Sequence, residues 1–259
     1  MNDNIISRWF AAPALWFALV AALLVAWALM EPDALVNAFD QDGYSPFEIA
    51  TLPFFAAIVP LVWWKCPFTG SKKRRFVLCL AVSIVALMAI VKEMDLHNMA
   101  LHALCPDYVG EDGKLIPGVL FKPNGRPLTG TPFKARFLTN GAVPFSAKAF
   151  VVLYFAAFFG VFAAGLLYFA IPFVKGVFSL NPVAWSVGCF GGSGVLVQIA
   201  DRLPSWLGHA HGLEKSAEGV TAAQSLCTAL EEGGEMMIAI FALLAIFQSW
   251  YIHNRGKNV

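Results

Sequence analysis

AFVVLYFAAFFGVFAAGLLYFAIPFV, Ala149–Val174, carries no Asp, Glu, Lys, Arg or His. A helix rises about 1.5 Å per residue, and the hydrocarbon core of a bilayer is about 30 Å thick. This stretch is therefore long enough to cross a membrane as one helix. A soluble core needs no apolar run of that length. Inside lipid every backbone N–H and C=O must be paired within the segment, which a helix achieves alone. A closed β-barrel reads instead as weak alternation over about ten residues.

Five further runs of the same kind flank it: Trp9–Met30, Phe47–Trp64, Phe76–Val91, Asn181–Ala200 and Gly234–Ile252. The last reads as the inner part of a longer helix starting near Thr221. The expectation is an all-α, polytopic integral membrane protein. It is a bundle of about six transmembrane helices in a single domain over residues 1–259, with a Gly/Pro-rich external loop over about 98–148. The first run resembles a signal peptide in offering Ala26-Trp27-Ala28. Its apolar stretch exceeds the typical h-region of about 7–15 residues, so it reads as an uncleaved helix.

Composition agrees. Hydrophobic residues make up 58% of the chain and charged residues 14%, against about 25% charged in soluble domains. Mean hydropathy is +0.66. A net charge of +1 lacks the basic excess of a nucleic-acid binder. The five cysteines form no C-x-x-C pair, so neither a disulfide framework nor a cysteine-type zinc site is implied. Cys66, Cys79, Cys189 and Cys227 read as small apolar residues in or near the runs, and Cys105 sits alone in the long loop.

Lys65, Lys72, Lys73, Arg74 and Arg75 crowd the link between the second and third runs. Positive residues in short loops mark the cytoplasmic side. Both termini and the Lys175 turn then fall on that side. The first external loop holds Glu31, Asp33, Asp40, Asp42 and Glu48 and no Lys or Arg, and the long loop falls outside too. Its glycines and prolines read as turns and short strands, with Tyr108-Val109 and Leu115-Ile116 as packing elements. No motif is shared between the two halves, so an inverted-repeat transporter is not supported.

Three runs meet the external side in ionisable residues. The third ends with Glu93, Asp95 and His97, followed by His102. The fifth ends at Asp201-Arg202, and the sixth enters through Glu231, Glu232 and Glu235. Glu93 and His97 are four residues apart, as are Glu231 and Glu235, so each pair shares a helix face. Carboxylates with an imidazole suit a divalent metal such as zinc, manganese or iron. We assign Glu93, His97 and Glu235 as metal ligands and Glu231, Asp201 and Glu232 as catalytic carboxyls. Lys134 and Arg136 would bind an anionic substrate, with Asp95 and His102 as further members. The plainer account is that acids at helix ends face headgroups and water, and that Glu231 and Glu232 complement a helix dipole.

Other features carry less. Gly208-His209-Ala210-His211-Gly212 reads as a His-x-His pair in an external loop, and His253 as part of an interfacial aromatic belt. Gly191-Gly192-Ser193-Gly194 has neither the strand nor the Lys of a phosphate loop. It reads as a site of close helix packing, or else as an unwound segment lining a cavity.

Glu93-Met94-Asp95-Leu96-His97, Lys134-Ala135-Arg136-Phe137, Asp201-Arg202 and Glu231-Glu232-Gly233-Gly234-Glu235 together resemble a group of bacterial inner-membrane proteins, over roughly Lys92 to Ile240. The resemblance implies that the scattered acids belong together. It carries no activity over. Three functions then fit. One is a metal-dependent enzyme acting on a lipid or lipid-linked substrate at the outer interface. The others are a transporter or channel with a cation or proton site, and an assembly subunit of a membrane complex.

Overall fold

A computed structural model of the chain describes residues 5–40, 45–65, 71–94, 96, 100, 103–104, 108–109, 115–116, 135–139, 141, 143–211 and 220–255. Its helices are α1 Ala11–Leu29, α2 Pro32–Phe39, α3 Pro46–Lys65, α4 Lys72–Glu93, α5 Ala135–Thr139, α6 Phe145–Phe178, α7 Pro182–His211 and α8 Ala222–Arg255. Two-residue strands, β1 Tyr108–Val109 and β2 Leu115–Ile116, pair antiparallel, with Tyr108 opposite Ile116.

Six of these helices are long and apolar enough to cross a membrane: Ala11–Leu29, Pro46–Lys65, Lys72–Glu93, Phe145–Gly165, Pro182–Pro204 and Ala222–Asn254. The chain is an all-α membrane protein with the six spans read from its sequence. Phe17, Leu153, Leu167, Ile171 and Phe178 are exposed, as lipid-facing side chains should be. In water such a surface would be an aggregation liability.

The fold forms two compact units. The first comprises Met1–Ile90 and Gly165–Val259, the second Val91–Ala164. In the second, Phe137, Val143, Ala147 and Val151 form a small core, with Leu104 and Phe155 against it.

In the first unit α8 is the central helix, packing against α7, α3, α1 and α2. It begins in a capping box. The Thr221 hydroxyl accepts the Gln224 N–H at 3.2 Å, and the Gln224 side chain accepts the Thr221 N–H at 3.0 Å. Leu35, Phe39, Ala229, Met237 and Phe241 bury together along α8. Phe55, Ile58, Ala86 and Ala239 join α3, α4 and α8. The indole N–H of Trp63 donates to Ser83 at 2.9 Å, tying α3 to α4.

Three local features differ from the sequence reading. Helix α2 occupies what read as an acidic loop; its Leu35 and Phe39 are four residues apart and both are buried. Helix α7 runs on to His211, so His209 lies on helical backbone rather than in a loop. The Gly191–Gly194 segment is regular helix, not unwound, and its Ser193 carbonyl borders the crossing with α8, 3.6 Å from where a Cβ at Gly234 would lie. A Cβ added at Gly191 or Gly194 would meet nothing within 4 Å, whereas one at Gly234 would lie 2.6 Å from Val197 Cγ2. Ser193 instead bridges α1 and α7, accepting the Trp16 indole N–H at 3.1 Å and donating to the Cys189 carbonyl at 2.9 Å.

The α6–α7 turn has its own chemistry. Leu180 takes φ 55°, the single non-glycine residue with positive φ among the described residues. The Asn181 N–H donates back to the Gly176 carbonyl at 2.9 Å, and the Asn181 side chain accepts the Val183 N–H at 2.9 Å. One residue thus helps close α6 and caps α7.

Candidate functional site

Helix α3 starts with Ser45-Pro46-Phe47-Glu48, another capping box, here with proline at the first helical position. The Ser45 N–H donates to Glu48 Oε2 at 2.8 Å, and the Glu48 N–H donates to Ser45 Oγ at 3.0 Å. Ser45 is fully buried and its hydroxyl donates to the Phe39 carbonyl at 2.7 Å. Phe39 and Phe47 stack at 4.3 Å between ring centroids, closing the α2–α3 corner. The Glu48 side chain is therefore fixed in one place by its own helix start.

Glu232 of α8 reaches the same place. A carboxylate oxygen of Glu48 lies within 4.8 Å of one on Glu232, and both residues are half-buried. Two ionised carboxylates at that separation repel by about 3 kcal/mol at an effective dielectric constant of about 20. A bound cation, a shared proton or a neighbouring basic group must offset that cost. Glu231 is half-buried on the same helix, and Glu235 is buried at 7% exposure.

The close approach of α8 to its neighbours depends on the two glycines between these acids. A Cβ at Gly233 would overlap the Leu23 side chain, and one at Gly234 would overlap Val197. Glycine at both positions lets α1 and α7 close on this turn of α8.

The other residues of the sequence-derived set are placed as follows. Glu93 ends α4 and belongs to the second unit, where its side chain is 3% exposed and 4.0 Å from Lys92 Nζ. Asp201 is exposed and pairs with its chain neighbour, Asp201 Oδ2 to Arg202 Nε at 3.3 Å. Arg136 lies on α5. Asp95, His97, His102 and Lys134 fall outside the described residues. Of the expected catalytic residues, Glu232 thus has a cross-helix acidic partner in the first unit, and that partner is Glu48. The sequence reading counted Glu48 only as a loop acid. The signal that could have found it is Ser-x-x-Glu directly before an apolar run.

Carboxylate oxygens at this spacing can hold a divalent cation, relay a proton, or do both in turn. Neither a family model, nor a curated protein, nor a solved structure matches the chain.

Proposed function

We propose that this membrane protein binds a divalent cation between Glu48 and Glu232. We further propose that it uses the bound cation in an enzymatic step on a lipid or lipid-linked substrate at that end of the bundle. The observation that supports this is the approach of the two carboxylates across the α3–α8 boundary, with Glu48 held by its capping box. An oxygen-only pair favours manganese or magnesium over zinc. Glu231 and Glu235, on the same turns of α8, are the acids placed to move protons. A cation here would polarise a phosphoryl or carbonyl oxygen and lower the pKa of a bound water. In this reading the site end is external, both termini are cytoplasmic, and the membrane is a bacterial inner membrane.

Elemental mass spectrometry on protein purified in detergent without chelators tests the reading. The expected result is close to one equivalent of metal, lost in Glu48→Gln and Glu232→Gln while both variants stay folded. Glu93→Gln and His97→Ala, measured alongside, test two of the three ligands expected from the sequence alone. Metal-free wild-type protein overturns the metal site and leaves a carboxyl pair sharing a proton. Proton flux in proteoliposomes is then the next measurement.

A further inference from the structure

We propose that the α3–α4 end of the first unit binds one anionic glycerophospholipid, its phosphate held by Lys72 and Arg75 and its glycerol and first methylenes packed against Trp63 and Phe76. A cavity of about 260 Å³ opens there, lined by Trp63, Lys72, Arg75, Phe76 and Cys79. That is the space of roughly nine water molecules in the liquid, room for a phosphate and the glycerol beside it.

The cavity is charged at one end and apolar at the other. Lys72 and Arg75 stand one turn apart at the start of α4, so they share a helix face. Phe76 and Cys79 follow, about 6 and 10 Å from Lys72 along the helix. Trp63 meets them from α3, its ring 5.7 Å from that of Phe76. The Trp63 indole N–H is used by Ser83, yet the side chain is 44% exposed. Trp63 therefore offers the cavity ring surface and no free donor. Cys79 is buried, and its thiol donates to the Val62 carbonyl at 3.4 Å.

The basic groups lack a counter-charge. Lys72, Lys73, Arg74 and Arg75 are all exposed, and none has an ion pair among the described residues. The first turn of α4 holds no acid. Lys65 at the same end differs, because its Nζ lies over the rings of Trp64 and Trp250 at 3.7 and 4.6 Å. Like charges one turn apart destabilise a helix, and an anion held by Lys72 and Arg75 removes that repulsion.

The two halves together select the occupant. Free inorganic phosphate satisfies the cations and leaves the rings uncovered. An apolar helix of a second copy covers the rings but buries two charges without a counter-ion, which is costly. A phospholipid satisfies both halves, since its phosphate adjoins its apolar part at the depth where tryptophans and basic residues gather. Four adjacent cations favour a lipid of net negative charge over a zwitterionic one. The acidic pair is elsewhere: Glu48 lies about 22 Å from Trp63 along α3. The inference therefore stands or falls independently of the proposed cation site.

The test is native mass spectrometry of the full-length protein in a neutral detergent, offered phosphatidylglycerol or phosphatidylcholine. No anionic surface is then present to add diffuse attraction, so contact decides retention. Wild-type protein should retain one phosphatidylglycerol, and phosphatidylcholine at least about tenfold less. Lys72→Gln with Arg75→Gln should lower phosphatidylglycerol retention at least about tenfold, the factor of two basic groups. Lys73→Gln with Arg74→Gln removes the same charge outside the cavity and should change retention by less than about threefold. Equal loss in the two double variants overturns the inference, as does equal retention of the two lipids by wild type. Displacement of bound phosphatidylglycerol by millimolar inorganic phosphate also overturns it, since the site would then be one for free phosphate. The phosphatidylcholine and inorganic phosphate arms use wild-type protein, so the test stays decisive if a variant fails to fold.

Discussion

Val197 and Gly234 meet where α7 crosses α8: a Cβ at Gly234 would fall 2.6 Å from Val197 Cγ2 and 3.6 Å from the Ser193 carbonyl. Valine has little freedom at χ1, so it cannot swing aside as a long side chain would. Gly234 is one residue from Glu235 and two from Glu232, so this close crossing of α7 and α8 and the acidic turn share one segment.

Gly234→Ala is expected to destabilise the protein by about 1–2 kcal/mol, because overpacking exceeds the gain in helix propensity. Gly191→Ala, where the added methyl meets open space, should be neutral or stabilising by up to about 1 kcal/mol. Thermal unfolding in detergent measures both. Combining Gly234→Ala with Val197→Ala should recover part of the loss, since the two changes share one contact.

Ser45 and Glu48 separate structure from charge. Glutamine can accept the Ser45 N–H as glutamate does, so Glu48→Gln should leave stability within about 0.5 kcal/mol while abolishing metal retention. Ser45→Ala should cost about 1 kcal/mol or more, since it removes the cap and the buried bond to Phe39. Equal destabilisation by both variants would mean that Glu48 serves only as a cap.

Gln248 is fully buried, accepts the Ser186 hydroxyl at 2.7 Å and donates to the Ile6 carbonyl at 2.9 Å. A double-mutant cycle with Ser186→Ala and Gln248→Leu should give a coupling of about 0.6 kcal/mol, with about 1.7 kcal/mol as a ceiling. A coupling near zero would show that the pair does not join α7 to α8 in detergent.

The proposed orientation is open to a labelling test. In intact cells a membrane-impermeant maleimide should react with Cys105, in the loop read as external. A variant with Cys105 alone removed should be unlabelled. Labelling of Cys66, next to the basic run Lys72–Arg75, would reverse the orientation.

Some of the candidate site was legible and some was not. Glu232 and Glu235 stood out because acids beside an apolar run are rare and costly. Asp201 stood out for the same reason, yet it is exposed beside Arg202. Depth in the membrane follows from chain position, but the direction a residue faces depends on helix rotation, which depth does not set. Glu48 was masked by its acidic surroundings: Glu31, Asp33 and Asp40 read as one external loop with it, whereas α2 packs part of that loop onto the bundle.

The sequence by itself determined the six spans and the start of α8. Hydrophobic length and local caps are properties of neighbouring residues and need no partner. Tertiary structure alone decided that Glu232 meets Glu48, that Gly234 rather than Gly191 takes the close crossing, and that Trp185 keeps a buried donor without an acceptor among the described residues. Each of these depends on how one helix is rotated against the next. That rotation is set by side chains far apart in the chain, such as Leu23, Val197 and Gly234, so no local pattern records it.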